Sequence, residues 1–396
     1  MKSNKSDTKH EESGHMGVLT GIKIIEFAGL GPGPFCGMLL ADLGADVITI
    51  ERPAPDVGNP RPWALCSRGK RSLVLDLKKP GAVDTVLQLI EDADALIEGM
   101  RPGVMERLGL GPEICLARNP SLVYGRMTGW GQYGPLVQAA GHDANYVAIS
   151  GALWLATKPG QAPEAPPTML GDIAGGALYL AIGLLGGILS ARKDGRGQVV
   201  DAAMIDGSAH LLNLLISYIP ELGGAFASGK PTAHGLFWDR AYECADGEWI
   251  VIQPMEPQFY AELIKRLGLQ DDQRFVNGQS TPELWVTLGS ELAELFKAKT
   301  RTEWAALLEG TDACFAPVLS PEEATAHPHV VARGIYKTID GALHASPAPR
   351  FSLTPSAELG SVPPRGAHTE EVLAELGLGA ARLQDLRTAG VLGPRS

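Results

Sequence analysis

GIKIIEFAGLGPGPFCGMLLADLGADVITIERP, residues 21–53, holds the pattern on which the fold prediction rests. Two short apolar runs, 22–27 and 47–51, predict strands, and the glycine- and proline-rich turn between them leads into a helical pattern. The alternation continues with a predicted helix at about 80–91 and predicted strands at 72–77, 95–99 and 122–127. Strands alternating with helices predict βαβ units, a mostly parallel sheet and therefore an α/β fold.

The glycine-rich turn after the first strand does not match the dinucleotide-binding motif GxGxxG. Counted from Gly29 the motif needs a glycine where Pro34 stands, and counted from Gly31 it needs one where Cys36 stands. A single near-match is weak evidence in any case. We therefore interpret this loop as a tight strand-to-helix turn without a bound nicotinamide cofactor.

Composition and charge exclude several classes of protein. The chain has 396 residues, 45% hydrophobic and 20% charged, which indicates a globular protein of more than one domain. A net charge of −11 argues against general binding to nucleic acid, because phosphate backbones need clustered lysine and arginine. The five cysteines form no CxxC, and no metal-ligand spacing is present. We predict a cytoplasmic protein with reduced thiols and no metal.

Two segments bear on targeting and membranes. Residues 1–16 are polar and lack the apolar core of a secretory signal, so we expect a disordered extension or a tag. Residues 173–190 contain no charge and five glycines. Their length is borderline for a membrane span, and we predict a buried helix instead.

The chain divides into successive parts by local pattern. We predict a large domain at 17–205, a linker at 206–235, a small α+β domain at 236–320 and a proline-rich C-terminal segment at 321–396. The small domain is indicated by an Asp-Gly hairpin at 241–253, helices at about 257–267 and 281–298, and a capping-box pattern at 300–309. One last helix is predicted within HTEEVLAELGL, 368–378.

Three positions are candidates for acid/base chemistry: His142 with Asp143 in GHDANY, Asp172 in MLGDIAGG, and Glu256 in PMEPQFY. Each also has a structural interpretation. An aspartate before a helix is usually an N-cap, adjacent histidine and aspartate usually form a hydrogen-bonded pair, and a glutamate at a helix start usually faces the macrodipole.

A joint catalytic role is chemically attractive for these groups. A carboxylate can remove a proton from carbon only if the resulting enolate is stabilised, and backbone N–H groups at a helix start can form that oxyanion site. We interpret Gly171, Gly175 and Gly176 as allowing a ligand to approach closely. A facing histidine, titrating near neutral pH, could exchange the proton on the other face.

Several long motifs then identify a family. The chain resembles the CaiB/BaiF family III CoA-transferase fold, and within it the alpha-methylacyl-CoA racemases, through residues 21–53, RGKRSLVLDL, LIEGMRPGVMERLGLGPE, MTGWGQYGPL, GHDANY, GDIAGGALYLAIGLLGGILSARKDGRGQVVDAAMIDG, YECADGE, MEPQFY, DACFAPVLS and HTEE. The resemblance covers nearly the whole chain after residue 17. It implies an interlocked homodimer in which a Rossmann-like large domain, completed by the C-terminal segment, is joined by long linkers to the small domain.

The resemblance also implies site residues. His142 and Asp172 match the two acid/base groups of the racemases, and Glu256 matches the glutamate that assists the histidine, acting across chains where the site lies at the dimer interface. Coenzyme A is expected as part of a thioester substrate, with no covalently bound cofactor. Its implied contacts are Arg52, Leu75, Asp76, Leu77, Lys78, Arg101, Gly141, Asp143, Ala144, Asn145 and Tyr146. Lys70 and Arg71 are either further phosphate contacts or part of a solvated loop.

Two functions remain open within this family. In transferases the aspartate at position 172 is a nucleophile that forms an acyl anhydride, whereas GHDxNY is typical of the racemases, so we favour racemisation of 2-methylacyl-CoA thioesters over CoA transfer. A CoA-binding protein without activity is disfavoured because His142, Asp172 and Glu256 are all present.

The chain departs from the racemase pattern in HGLFWDR, before the hairpin. There Phe237, Trp238, Asp239 and Arg240 replace the smaller residues typical of racemases. If this loop lines the acyl pocket, we expect the acyl group to differ from a branched fatty chain.

Overall fold

The computed structural model describes residues 17–156, 162–218 and 236–392. The predicted extension at 1–16 and most of the predicted linker, from 219 onwards, lie outside the described residues. The chain forms two compact units. The large unit is drawn from Met1–Ala152, Pro166–Leu212 and Gly334–Ser396, and the small unit from Leu153–Ala165 and Asn213–Arg333.

The large unit contains a six-stranded parallel sheet, as the strand–helix alternation predicts. Its strands are β1 (Lys23–Phe27), β2 (Asp46–Glu51), β3 (Arg71–Val74), β4 (Ala95–Glu98), β5 (Val123–Thr128) and β6 (Gln198–Ala203), in the order β3-β2-β1-β4-β5-β6. The first half of the sheet runs outward from β1 and the second half outward from β4. In such doubly wound sheets, ligands bind at the carboxyl ends of the strands, where the order reverses.

Helices of the large unit cover both faces of this sheet. They are α1 (Pro32–Asp42), α2 (Ala82–Ile90), α3 (Val104–Arg107), α4 (Pro112–Arg118), α5 (Asp143–Ser150), α6 (Leu178–Asp194), α7 (Met204–Leu211), α15 (Thr369–Glu375) and α16 (Ala380–Thr388). One hydrophobic cluster joins α2 and α15 to one face, and a second joins α1 and α6 to the other. Both faces are therefore buried, as the continuous apolar runs in the strands indicate.

The long apolar segment is a helix that packs on the sheet along one side. Among the residues that the structure describes, Met169–Asp194 is the one helical run long and apolar enough to cross a membrane. Leu180, Leu184 and Ile188 are buried against the sheet, while Ile182 and Leu189 are exposed. The predicted buried helix is thus buried on one face only.

Glycines in this helix allow close packing on the strands. A Cβ on Gly183 would lie 2.5 Å from Cγ1 of Val200, and one on Gly187 would lie 2.6 Å from Cγ1 of Val123. These separations are far below a normal carbon–carbon contact, so any larger residue would push the helix off the sheet.

The C-terminal segment covers the outer edge of β3. The backbone N–H of Ser72 donates to Nδ1 of His368, and that of Val74 donates to Oγ1 of Thr369, both at 3.1 Å. The strand predicted at 72–77 ends at Val74. Covering an edge strand in this way satisfies its outward-facing backbone donors.

The two C-terminal helices include one that the sequence pattern misses. The predicted last helix is present as α15, and α16 follows it. In α16 only Leu386 is buried, and such a sparse apolar pattern gives little indication of a helix. A short antiparallel pair, β10 (Tyr336–Ile339) and β11 (Ala342–Ala345), precedes them.

The small unit is an antiparallel sheet with helices packed on it. Its strands β7 (Arg240–Glu243), β8 (Trp249–Ile252) and β9 (Phe315–Pro317) pair in that order. Its helices are α8 (Asn213–Tyr218), α9 (Pro257–Arg266), α10 (Gln273–Val276), α11 (Trp285–Phe296), α12 (Arg301–Leu308), α13 (Pro321–Ala324) and α14 (Pro328–Ala332). The predicted hairpin is β7–β8, and the predicted capping box at Thr300 and Glu303 is present before α12.

Three boundary and loop interpretations need correction. The small unit continues to Arg333, not 320, and α7 and α8 occupy most of 204–218, where part of the linker was expected.

Phe237 and Trp238 are buried in the small unit's own core, where Phe237 contacts the rings of Tyr260 and Phe275. These two bulky side chains therefore stabilise the small unit and do not line an acyl pocket within it.

Candidate active site

The candidate site lies at the carboxyl edge of the large unit's sheet. The turn after β1 leads to Gly31 and α1, Arg52 follows β2, and Arg101 lies three residues after β4. The loop after β5 leads to His142 and α5. These elements surround the point between β1 and β4 where the strand order reverses, which is the usual ligand position of this architecture.

Asp172 lies inside a helical segment and is not its N-cap. Residues Met169–Ala177 form a π-helical run that continues directly into α6, and Thr168, with φ of 66°, precedes the run. The N-cap interpretation of Asp172 is therefore wrong. Runs of π-helix are rare and occur frequently at functional sites, where they displace side chains from the regular helical positions.

The glycines around Asp172 pack against protein and do not open space for a ligand. A Cβ on Gly175 would lie 2.7 Å from the backbone nitrogen of Ser208, and one on Gly176 would lie 2.9 Å from Cγ of Met204, both in α7. A Cβ on Gly171 would lie 2.8 Å from Oδ1 of Asp143. The sequence-based interpretation of these glycines is corrected: they permit close helix packing.

Asp143 caps the π-helical run. Its Oδ1 accepts the backbone N–H groups of Gly171 and of Asp172, each at 2.7 Å. The Asp143 side chain is buried, with 8% of the residue exposed, so it lies behind the site surface. The carboxylate satisfies donors at the start of a helical run, the task that the sequence pattern had suggested for Asp172.

The environment of Asp172 raises the pKa of its carboxyl group. Partial burial is the main cause, the negative charge of Asp143 adds to it, and His142 acts in the opposite direction. The opposing effect of His142 places it within electrostatic range of Asp172. Gly31 borders the carboxylate, because a Cβ there would lie 3.5 Å from Oδ2 of Asp172.

His142 stands at the N-terminal end of α5 with its side chain exposed. Its backbone N–H donates to Oδ1 of Asn145 at 2.9 Å, which closes the first turn of the helix. Although His142 and Asp143 are consecutive, the histidine is exposed and the aspartate is buried. The structure therefore brings two acid/base side chains, His142 and Asp172, to the same edge of the sheet from different elements.

Tyr146 holds the loop that precedes His142. Its ring is buried and meets Trp130 edge-to-face, with centroids 4.7 Å apart, and its hydroxyl donates to the carbonyl of Gly141. Ala144 and Asn145 are exposed. In GHDANY, Tyr146 thus has a structural task, while residues beside it face solvent.

The residues expected to contact coenzyme A differ in accessibility. Arg52 and Arg101 are exposed, and neither side chain has a hydrogen bond or ion pair among the described residues. Lys78 is exposed, and its backbone N–H donates to Oδ1 of Asp76. Leu75 is fully buried in the hydrophobic core and Leu77 packs against that core, so the Leu75 side chain is not available to a ligand.

Both interpretations of Lys70 and Arg71 are wrong, because each side chain is held by carboxylates. Lys70 is 4% exposed, and its Nζ lies 2.5 Å from Oε2 of Glu26. Arg71 makes two hydrogen bonds to Asp46, at 2.9 and 2.6 Å, and a further one to Glu375. Neither is part of a solvated loop, and neither has a cation free for phosphate.

Glu256 lies in the small unit, as the residue before α9. It is exposed, and Pro257 follows it at the first helical position. Its charge adds to the effect of burial in raising the pKa of Cys314. The position suits a carboxylate near the positive end of the helix dipole, as the sequence indicates.

The sequence analysis missed the link between Asp143 and Asp172. Asp143 was assigned to the thioester region because it belongs to GHDANY, and 28 residues separate it from Gly171. The only available signal was the glycine before Asp172, which leaves no Cβ to obstruct the Asp143 carboxylate.

Over the described ranges, no group of three or more His, Cys, Asp or Glu side chains is arranged to hold a metal ion.

Comparison with known proteins gives a consistent family. The sequence model of CoA-transferase family III matches residues 19–369. The chain is 39% identical over 383 residues to alpha-methylacyl-CoA racemase of Homo sapiens, covering 94% of this chain and 97% of the relative. It is 29% identical over 396 residues to succinyl-CoA:glutarate CoA-transferase of Homo sapiens, covering 94% and 90%. The solved structure of a CaiB/BaiF family protein from Brucella suis superposes with a TM-score of 0.78 at 27% identity, covering 91% of this chain and all of that one.

Proposed function

The chain belongs to CoA-transferase family III, and on that premise we propose that it is a racemase or epimerase of 2-methylacyl-CoA-type thioesters. The observation that carries the proposal is the presence of His142 and Asp172 at one edge of the sheet, on separate elements and within electrostatic range. Inversion at carbon needs one group to remove a proton and another to return it on the opposite face. The greater identity to a named racemase than to a named transferase supports the same choice.

Coenzyme A is bound in this proposal by exposed arginines at the carboxyl edge of the sheet. Arg52 and Arg101 lie on the loops after β2 and β4, on either side of β1. A guanidinium group recognises phosphate through paired, charge-assisted hydrogen bonds. Because both side chains lack a protein partner among the described residues, they can bind the anionic end of the substrate without breaking an ion pair.

The enolate oxygen is stabilised by backbone donors at the start of α5. The N–H groups of Gly171 and Asp172 are already bonded to Asp143, so they are not available to the substrate. The N–H groups of Asp143 and Ala144, in the first turn of α5, have no acceptor within the described chain. We assign the thioester oxygen to these donors, where the helix dipole also favours negative charge.

Proton transfer then proceeds between the two side chains. One of His142 and Asp172 removes the α-proton from the thioester, the electron pair moves onto the carbonyl oxygen, and the enolate forms. The other residue donates a proton to the opposite face of the same carbon. The raised pKa of Asp172 makes its carboxylate a stronger base than an ordinary aspartate.

Three further parts of the proposal rest on the family. We propose an interlocked homodimer, supported by exposed apolar side chains such as Ile182 and Leu189 on α6. We propose that Glu256, from either subunit, assists His142. The five cysteines are all unpaired, which supports a cytoplasmic location.

The alternative function is CoA transfer between carboxylic acids. In that reaction Asp172 attacks the thioester carbonyl, forms an acyl anhydride and releases the CoA thiolate, so the same carboxylate is used differently. The exposed His142, whose charge acts on Asp172, favours proton transfer, because the transferase step does not require a second acid/base group.

Exchange of the α-proton tests the proposal. The protein is incubated with a single enantiomer of a 2-methylacyl-CoA in D₂O without an acceptor acid, and deuterium at C2 is followed by NMR. Uptake with loss of optical purity supports the racemase. Absence of uptake, together with CoA exchange when carboxylic acids are added, establishes the transferase instead.

The variant His142→Ala refines the same experiment. If each residue serves one face, the variant slows proton removal from one enantiomer more than from the other. Undiminished exchange from both enantiomers would rule out the scheme with two bases.

A further inference from the structure

Asp143 is connected to Asp172 through the backbone, although 29 residues separate them in sequence. Both hydrogen bonds, to the N–H groups of Gly171 and Asp172, end on the same oxygen, Oδ1. At 2.7 Å each they lie at the short end of the range for a backbone N–H bonded to a carboxylate. The carboxylate thus holds two consecutive backbone N–H groups at the start of the π-helical run.

This contact determines where the Asp172 side chain points. The two bonds hold the peptides on either side of Gly171, and the second of these peptides leads directly to the Cα of Asp172, from which its side chain projects. Gly171 allows the approach, since a Cβ there would lie 2.8 Å from Oδ1 of Asp143. A π-helical turn lacks the regular i→i−4 bonds of an α-helix, so an outside acceptor has more influence on its geometry.

The same carboxylate also acts on Asp172 by its charge. Asp143 is buried, where water screens its charge poorly. Its negative charge is the second cause, after burial, of the raised pKa of Asp172, and His142 opposes both. A neighbouring carboxylate that disfavours the ionised form leaves a stronger base once that form is reached.

Asp143 also links the two acid/base groups. It follows His142 directly in the chain, at the start of α5. The pair His142–Asp143 therefore exposes the histidine side chain to solvent and holds the backbone N–H of Asp172. The Asp143 carboxylate is thus the hydrogen-bonded link between α5 and the π-helical run, in addition to the packing of Val147 of α5 against Gly171.

We propose that Asp143 is a positioning residue for proton transfer: it orients Asp172 through the peptide N–H groups of residues 171 and 172 and places a second negative charge beside it. Asp143 does not need to touch the reacting carbon. The inference rests on the proposed function. In that function the backbone N–H of Asp143 binds the thioester oxygen, and the inference adds a role for the Asp143 side chain.

Two substitutions separate orientation from charge. Asp143→Asn keeps a carbonyl oxygen that can accept both N–H groups but removes the charge. Asp143→Ala removes both. The matched control is Asp94→Asn, because Oδ2 of Asp94 accepts the backbone N–H of Lys23 at 2.9 Å, before β4 and at the opposite edge of the same sheet.

The first readout does not depend on activity. The protein is labelled with ¹³C at the aspartate carboxyl carbons, and the signal of Asp172, assigned by its loss in Asp172→Asn, is titrated by NMR. In Asp143→Asn the titration midpoint of Asp172 moves to lower pH, while Asp94→Asn leaves it in place. An unchanged midpoint in Asp143→Asn would overturn the charge part of the inference.

The second readout is deuterium exchange at C2 as a function of pH. In Asp143→Asn the acidic limb of the profile moves to lower pH with the NMR midpoint, whereas a purely structural cap would change only the melting temperature. Asp143→Ala loses on the order of 100-fold in exchange rate, as expected when a reacting group is misplaced by about 1 Å. Exchange within a few-fold of the unchanged protein in Asp143→Ala would overturn the orientation part. If the unchanged protein shows no exchange, the proposed function fails, and the NMR titration still tests the effect of Asp143 on Asp172.

Discussion

Lys70 and Glu26 form a buried ion pair beneath α1, with Nζ and Oε2 2.5 Å apart. Lys70 also donates to the carbonyl of Pro34 at 2.9 Å, and so ties the first turn of α1 to the residue before β3. Gly37 leaves room for the pair, because a Cβ there would lie 1.7 Å from Oε2 of Glu26. The pair therefore supports the start of α1, where Gly31 lies next to the Asp172 carboxylate.

Removing Lys70 alone is expected to destabilise the protein strongly. Lys70→Met leaves Glu26 buried without its cation, and the loss of a buried partner costs about 3–5 kcal/mol of unfolding free energy. Denaturation by urea measures the change. Lys297→Ala, which removes an exposed pair with Glu294, serves as control and should cost about 0–1 kcal/mol. A loss below about 1 kcal/mol for Lys70→Met would contradict the structural role given to the pair.

Replacing Asp172 by asparagine is expected to abolish most of the proton exchange. Asparagine has a similar shape but cannot accept the proton, so the rate should fall by roughly 10²- to 10⁴-fold. The measurement is deuterium uptake at C2. Asp194→Asn, at the C-terminal end of α6, is the matched control, because it makes the same substitution at an exposed position far along the same helix. Equal rates for the Asp172 variant and the unchanged protein would remove Asp172 from the catalytic scheme.

The raised pKa of Asp172 has consequences for rate and stability that can be measured separately. As a base, Asp172 must be ionised, so proton removal by Asp172 should decline as pH falls through a value above the ordinary 3.8. The folded protein binds this proton more tightly than the unfolded chain does. Binding of this proton therefore stabilises the folded state. The stabilisation is fully present below the pKa that Asp172 has in the unfolded chain, and it is lost as pH rises through the pKa of Asp172 in the folded protein.

It follows that Asp172→Asn should melt at a higher temperature than the unchanged protein at pH 7, and that the difference should shrink in acid. Thermal unfolding followed by circular dichroism at pH 7 and near pH 4 gives the comparison. A lower melting temperature for the variant at pH 7 would show that burial and Asp143 do not disfavour the carboxylate as described.

Substitution of Arg101 is expected to weaken substrate binding more than the chemical step. Arg101→Ala removes one charged hydrogen-bonding group, worth about 1.5–3 kcal/mol, so KM should rise roughly 10- to 100-fold with a smaller change in kcat. Arg192→Ala is the control, since Arg192 pairs with Asp94 at the other edge of the sheet. Steady-state kinetics at two salt concentrations measure the effect, because contacts with phosphate weaken as salt rises. An unchanged KM would place the anionic end of coenzyme A elsewhere.

Local patterns in the sequence are sufficient for the order of elements and for the candidate residues. Apolar runs of four to six residues predict the strands of the parallel sheet, the Asp-Gly dipeptide predicts the β7–β8 hairpin, and the Thr300–Glu303 spacing predicts the start of α12. The motif GHDANY and the aspartate of MLGDIAGG indicate His142 and Asp172. Each of these signals depends on backbone preferences or side-chain spacing within one element, which neighbouring residues largely determine.

The tertiary structure is needed for the partners of these residues. Asp143 and not Asp172 satisfies the start of the helical run, Lys70 is neutralised by Glu26 from 44 residues earlier, and the edge of β3 is covered by a segment about 300 residues further on. No spacing rule connects such positions. Folding places these groups in contact because burying a charge or a backbone donor is unfavourable unless a partner meets it, and only the packed chain determines which partner is within reach.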